Sequence, residues 1–148
     1  MALHILEATR VNKARLHAFV VMSHHFHLIV KPNDSQTNSQ FMRSLKSYSA
    51  KDLIPRLNAF EHDQLKQQIT LNQRKFWKAS FRGFPIYSQK LSDQKMGYIH
   101  MNPARAGYVE LPDDYAWSSR QLYNLGLCHE FDGLQIPESI QLLESIPY

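Results

Sequence analysis

The stretch "RLHAFVVMSHHFHLIVKP", residues 15–32, decides how this chain folds. Residues 15–22 are rich in Val, Phe and Ala and contain no breaker. Residues 26–32 form a second apolar run, ended by Pro32 and the turn formers Asn33, Asp34 and Ser35. Only Ser23, His24 and His25 separate the two runs, so they read as an antiparallel hairpin. Successive strand side chains point to opposite faces. Phe26, Leu28 and Val30 therefore share the face that makes a core, and His25 and His27 share the other. Two imidazoles on one face can converge on a single divalent cation, because neutral imidazole is a common metal ligand. The competing reading is a solvent-facing histidine pair on a half-exposed sheet. A third imidazole would favour zinc. Amide or carboxylate oxygens with open water positions would favour a hard ion.

Outward from the hairpin, residues 3–14 read as a short helix with Leu3, Ile5, Leu6 and Val11 at roughly helical spacing. Residues 38–57 read as a second helix. Phe41, Leu45, Tyr48 and Leu53 are its apolar positions, and Arg43, Lys46, Lys51 and Arg56 lie on other faces. Residues 58–74 are polar and ambiguous. The aromatic run 76–88 is interrupted by Gly83 and Pro85 and reads as extended. A further helix starts at Ser92, an N-cap residue, and stops at Pro103. After residue 120 the pattern weakens, with Leu142 and Leu143 placed on a short last helix.

A second constellation is "YIHMNPARAGYVELPDDYAWSS", residues 98–119. Tyr98 and Asn102 are four apart and share one helix face, whereas His100 points elsewhere. A tyrosine oxygen becomes a nucleophile when a metal or base eases its deprotonation. Asn102 offers a carbonyl oxygen beside it. The plainer alternative is that Tyr98 packs and Asn102 caps a helix end before Pro103.

The chain has 148 residues, enough for one domain with a core of its own, so 1–148 is read as a single unit. Its formal net charge is +4, which suits a nucleic-acid partner among other roles. The single cysteine, Cys128, excludes an internal disulfide and a CxxC zinc site and fits a reducing cytoplasm. The apolar runs are too short to span a bilayer, and no signal peptide is legible.

Together, "AFVVMSHHFHLIVKP" and "YIHMNPARAGYVELPDDYAWSS" resemble the two signature blocks of the HUH single-tyrosine transposases. In particular they are similar to the REP-associated tyrosine transposase-like proteins, relatives of insertion-sequence transposases that act on single-stranded DNA. The resemblance covers about residues 1–120 and leaves 121–148 as a C-terminal extension. It implies an α+β, ferredoxin-like fold, with an antiparallel sheet and helices packed mainly on one face. It implies His25, His27 and Asn102 as ligands of Mg²⁺ or Mn²⁺, and Tyr98 as the nucleophile. The implied function is single-stranded DNA nicking and strand transfer through a 5′-phosphotyrosine intermediate. The alternative is a degenerate or domesticated DNA-binding protein of the same fold without turnover.

The implied partner is a hairpin-forming single strand. Arg43, Lys46 and Lys51 would contact phosphates and Tyr48 would stack on a base. Arg74, Lys75, Trp77, Lys78 and Arg82 form a second basic and aromatic cluster. For both clusters the alternative is a solvated helix face or core aromatics. Two departures from the family pattern stand out. His24 falls where relatives carry Asn in a Pro-Asn turn, and is not counted as a ligand. The chain also starts at the helix that in relatives follows a first strand. Three consequences are open: a truncated product, a homodimer in which a partner covers the sheet edge, or a smaller sheet without catalysis.

Overall fold

The computed structural model describes residues 1–59 and 76–124. The first element is helix α1, Ala2–Val11. Its buried stripe is Ala2, Ile5, Leu6 and Thr9, the i, i+3, i+4, i+7 pattern of one helix face. Leu3 and Val11, expected on that face, are exposed instead; at 3.6 residues per turn they fall beside the stripe. The helix stops three residues earlier than its periodicity suggests. Lys13, at φ +49°, takes the left-handed conformation, and Ala14 N–H donates to Thr9 O at 2.9 Å while Lys13 N–H donates to Arg10 O at 3.1 Å. This pairing is a Schellman closure with lysine where glycine is usual.

Strands β1 (Arg15–Val21) and β2 (Phe26–Lys31) form the expected antiparallel hairpin. Met22 N–H donates to His25 O at 2.8 Å to close the turn. The register pairs Val20 with His27 and Val21 with Phe26, with an irregularity between Leu16 and Ala18 that leaves His17 as an extra residue on β1. The outer edge of β1 is covered by residues 117–119: Val21 N–H donates to Trp117 O at 2.8 Å, and Ser119 N–H to Phe19 O at 3.0 Å. Among the described residues the sheet has two strands.

Helix α2, Asn38–Ala59, starts with a reciprocal cap. Gln40 N–H donates to Thr37 Oγ1 at 3.2 Å, and Thr37 N–H donates to Gln40 Oε1 at 2.8 Å. Helix α3 spans Gln89–Arg105. It begins at Ser88, whose Oγ accepts Leu91 N–H at 3.3 Å, rather than at Ser92, which is buried within it. Pro103 does not end it. A proline in the last turn removes one N–H and leaves the preceding carbonyls to close the helix. The end comes at Gly107, whose φ of +74° suits only glycine well. A 3₁₀ turn, Pro112–Asp114, and a short helix α4, Arg120–Asn124, follow. The ambiguous stretch beyond Ala59, Arg74, Lys75 and the expected helix near Leu142 lie outside the described residues.

The fold is α+β, as the sequence implies. Helices α1 and α2 take one sheet face, where Leu16 and Phe19 of β1 meet Ile5, Leu6, Phe41 and Leu45, with Phe26, Leu28 and Val30 of β2 packed against them. Helix α3 takes the other, where Ala18, Val20, Met22 and Ile29 meet Ile99 and Met96. Burying each large apolar side chain stabilises the fold by about 1.5–3 kcal/mol. The sheet is thus the partition between two small cores, and His25 and His27 project on the α3 side. No helix among the described residues is long and apolar enough to cross a membrane.

Candidate active site on helix α3

Helix α3 has two working faces. Ser92, Ile99, His100 and Pro103 are buried against the protein. Lys95, Tyr98, Asn102 and Arg105 follow the i, i+3, i+7, i+10 spacing of a single stripe on the other side. The stripe runs cation, phenol, amide, cation over roughly 15 Å of helix.

The hairpin brings its histidines to that stripe. The His25 and His27 rings are 4.9 Å apart, edge to face. The His27 ring lies 5.7 Å from the Tyr98 ring at 78°. The Arg105 guanidinium sits 5.8 Å from the same phenol ring. Tyr98 remains 47% exposed. Among the described residues, the side chains of His25, His27, Tyr98 and Asn102 have no hydrogen-bond partner. Burial lowers the pKa of both histidines, and a neighbouring imidazole, His24 for His25 and His25 for His27, lowers each further. Neutral, uncommitted imidazoles are what a metal ion requires. No group of three His, Cys, Asp or Glu side chains is positioned to hold a metal among the described residues. Asn102, one turn beyond Tyr98 on the same stripe, carries an amide oxygen. The His24 ring also lies 4.5 Å from that of His25, and its Nδ1 is 3.0 Å from Ser23 Oγ, which in turn lies 2.6 Å from Tyr108 Oη.

The basic residues separate into two places. Arg43, Tyr48 and Lys51 are exposed on α2, in the layer across the sheet from Tyr98. Tyr48 has its ring 5.6 Å from His4. Lys46 is tied inward: its Nζ donates to Lys78 O at 2.8 Å and Ser80 O at 2.9 Å, and burial lowers its pKa. It holds the segment after residue 76 against α2. Trp77 does the same by donating Nε1–H to Ser49 Oγ at 3.0 Å and packing on Phe26 at 5.3 Å. Lys78 and Arg82 are exposed on that segment, which continues to Ile86 in the α3 core.

Sequence reasoning missed the anchor on the buried face of α3. His100 Nε2 lies 2.8 Å from Ser119 Oγ, which also accepts Phe19 N–H at 2.9 Å and approaches Phe19 O at 3.2 Å. The His100 ring stacks edge-on with Tyr123 at 5.4 Å, and Tyr123 Oη donates to His17 O. Tyr115 Oη donates to Val21 O at 2.7 Å. These bonds fix the β1 end, α3 and residues 115–123 as one unit. The only signal in the sequence was a histidine two places from Tyr98, on the opposite side of the helix.

A hairpin-borne histidine pair thus faces a helix-borne tyrosine on an α+β scaffold. Residues 2–102 match the family model for IS200-like transposases, and the chain belongs to that family. The fold is also that of a solved REP-associated tyrosine transposase bound to a REP hairpin, with a TM-score of 0.59 at 20% sequence identity. That alignment covers 86% of this chain and 67% of the other. No curated protein matches significantly.

Proposed function

We propose that this protein nicks and rejoins single-stranded DNA, with Tyr98 as nucleophile and His25, His27 and Asn102 as the ligands of a divalent ion. The observation that carries the reading is the His27 ring beside the half-exposed Tyr98 ring, with His25 against His27 and none of the three side chains hydrogen-bonded among the described residues. Mg²⁺ or Mn²⁺ bound there would supply Lewis-acid polarisation of a nonbridging phosphate oxygen.

The chain's own groups account for the rest. The Tyr98 oxygen loses its proton and attacks phosphorus in line with the departing 3′ oxygen. A phosphotyrosine bond to the 5′ side forms as the P–O3′ bond breaks, and the 3′ oxygen takes up a proton. The bond energy stays in the link, so an incoming 3′-hydroxyl can reverse the step without a nucleotide cofactor. Arg105, against the Tyr98 ring, contributes positive charge beside the scissile phosphate. Lys78 and Arg82 hold the strand near the site. Arg43, Tyr48 and Lys51, in the far layer, contact a more distant part of a folded strand. Lys46 serves DNA through the segment it anchors.

The test is a denaturing gel for a protein–DNA adduct on hairpin-bearing single strands, with Mg²⁺ or Mn²⁺ and with chelator. The expected result is a metal-dependent adduct that Tyr98→Phe abolishes while retaining DNA binding. An adduct that persists in Tyr98→Phe overturns the assignment of the nucleophile. Metal-independent binding with no adduct on any hairpin favours the binding protein without turnover.

A further inference from the structure

The segment between Trp77 and α3 presents large aromatic rings to solvent. Phe84 is 75% exposed and Tyr87 is 85% exposed, with Phe81 also exposed. Nothing in the fold requires this: Ile86, between them, supplies the segment's contact with the α3 core. A cluster of exposed rings marks an interaction surface.

Charge identifies the partner. Residues 76–105 carry five cations, Lys78, Arg82, Lys90, Lys95 and Arg105, against one carboxylate, Asp93. That excess equals the formal net charge of +4 of the entire chain, so all other residues balance. Rings interleaved with cations are how proteins hold unpaired nucleic acid: the backbone meets the cations and the bases stack on the rings. A purely apolar partner would gain nothing from the cations.

Position supplies the second line. Lys95 Nζ lies 5.5 Å from the centre of the Phe84 ring. Lys95 stands one turn before Tyr98 on the same stripe of α3. The aromatic segment therefore approaches the candidate nucleophile from the N-terminal end of the stripe, continuous with it.

We infer that Phe84 and Tyr87 form a stacking platform for unpaired bases of the DNA strand adjacent to the phosphate at Tyr98. This rests on the single-stranded DNA reading above and extends it to a base-binding surface that reads no particular sequence. Every base has a π face, so the platform selects unpaired over paired DNA. Selection of a hairpin falls to other parts of the molecule.

The experiment is fluorescence anisotropy with a labelled mixed-sequence single-stranded oligonucleotide and a blunt duplex of the same sequence. Wild type is compared with Phe84→Ala, Tyr87→Ala and Tyr87→Phe. Each alanine variant is expected to weaken single-strand binding about tenfold, within the range for loss of one stacked base, with duplex binding and the salt slope unchanged. Tyr87→Phe keeps the ring and stays within about twofold of wild type. Lys95→Gln is expected to lower the salt slope instead, by about 0.7. Both aromatic side chains are exposed, so thermal melts of the variants should match wild type. Alanine variants that bind the single strand as wild type does, or that lose single strand and duplex equally, overturn the platform and leave the function reading intact. A wild-type protein that binds no single strand overturns both.

Discussion

Two histidines meet helix α3 in different environments. On its buried side, His100 is 4% exposed and bonded to Ser119, which is itself bonded to both polar groups of Phe19. On its open side, His27 meets Tyr98 ring to edge with no hydrogen-bond partner among the described residues. His100 and Tyr98 are two residues apart, about 200° around the helix. A buried polar group without a partner costs about 1–3 kcal/mol, so the bond to Ser119 offsets part of the cost of burying the His100 ring. The open side carries less of that cost, because solvent reaches it. The contrast is one of bonding: His100 is bonded within the protein, and His27 has no hydrogen-bond partner among the described residues.

Substitutions sharpen the contrast. His27→Ala should lower adduct formation by about a thousandfold or more, since a metal ligand supports several kcal/mol of transition-state charge stabilisation. Its urea midpoint should stay near wild type. Loss of stability without loss of adduct would place His27 in the same class as His100. His100→Ala should do the reverse and destabilise by about 4 kcal/mol, through the cavity and the bonds left open around Ser119. Equilibrium unfolding would measure this, and a value under about 1 kcal/mol would break the comparison.

The same histidine makes stability depend on pH. Burial, and the nearby Arg120, hold the His100 pKa down to about 4. Above the ordinary histidine value both the folded and unfolded forms are neutral there. Between about 6.5 and 4 the unfolded chain takes up a proton that the folded one refuses, so stability falls as pH falls. The expected loss from this site is about 3 kcal/mol, levelling off below pH 4. His4, His17 and His27 are lowered too and add in the same direction. Comparing the pH slope of wild type with that of His100→Gln isolates the contribution. The smallest effect lies away from both sides: Lys13→Gly should raise stability by about 1 kcal/mol, because glycine takes a positive φ without strain. An unchanged or lower melting temperature would mean that the lysine side chain offsets its strain.

The hairpin was legible because its signals are local. Alternation, two apolar runs and a three-residue gap fixed the strands and the shared side of His25 and His27, but not the second core that Ala18, Val20 and Ile29 build on that side. Tyr98 and Asn102 were legible as a helical pair for the same reason. Helix boundaries were less so: Ser88 and Ser92 are equally good caps on paper, and only the packing of α3 buries the second. Pro103 reads as a stop, yet in a last turn it is tolerated. The role of Lys46 was hidden because its acceptors are backbone carbonyls 32 and 34 residues away. Trp77 and Ser49 are related in the same way, and no periodicity reports such a contact. His100 was visible as a residue but not as an anchor, since its partner comes from the end of the described chain.

The bond from His100 to Ser119 on the buried face of α3 also has a mechanical consequence. A helix can roll about its own axis at little energetic expense when only apolar side chains hold it, because such contacts have no preferred direction. Hydrogen bonds do, and the bond from His100 to Ser119 resists rotation. Side chains at the helix surface lie about 5–6 Å from the axis, so a 10° roll carries those on the far side through about 1 Å. Displacements of that size are enough to cost a reaction about a hundredfold in rate. With Tyr98 as the proposed nucleophile on the opposite face, the buried histidine limits the angle through which that tyrosine can swing.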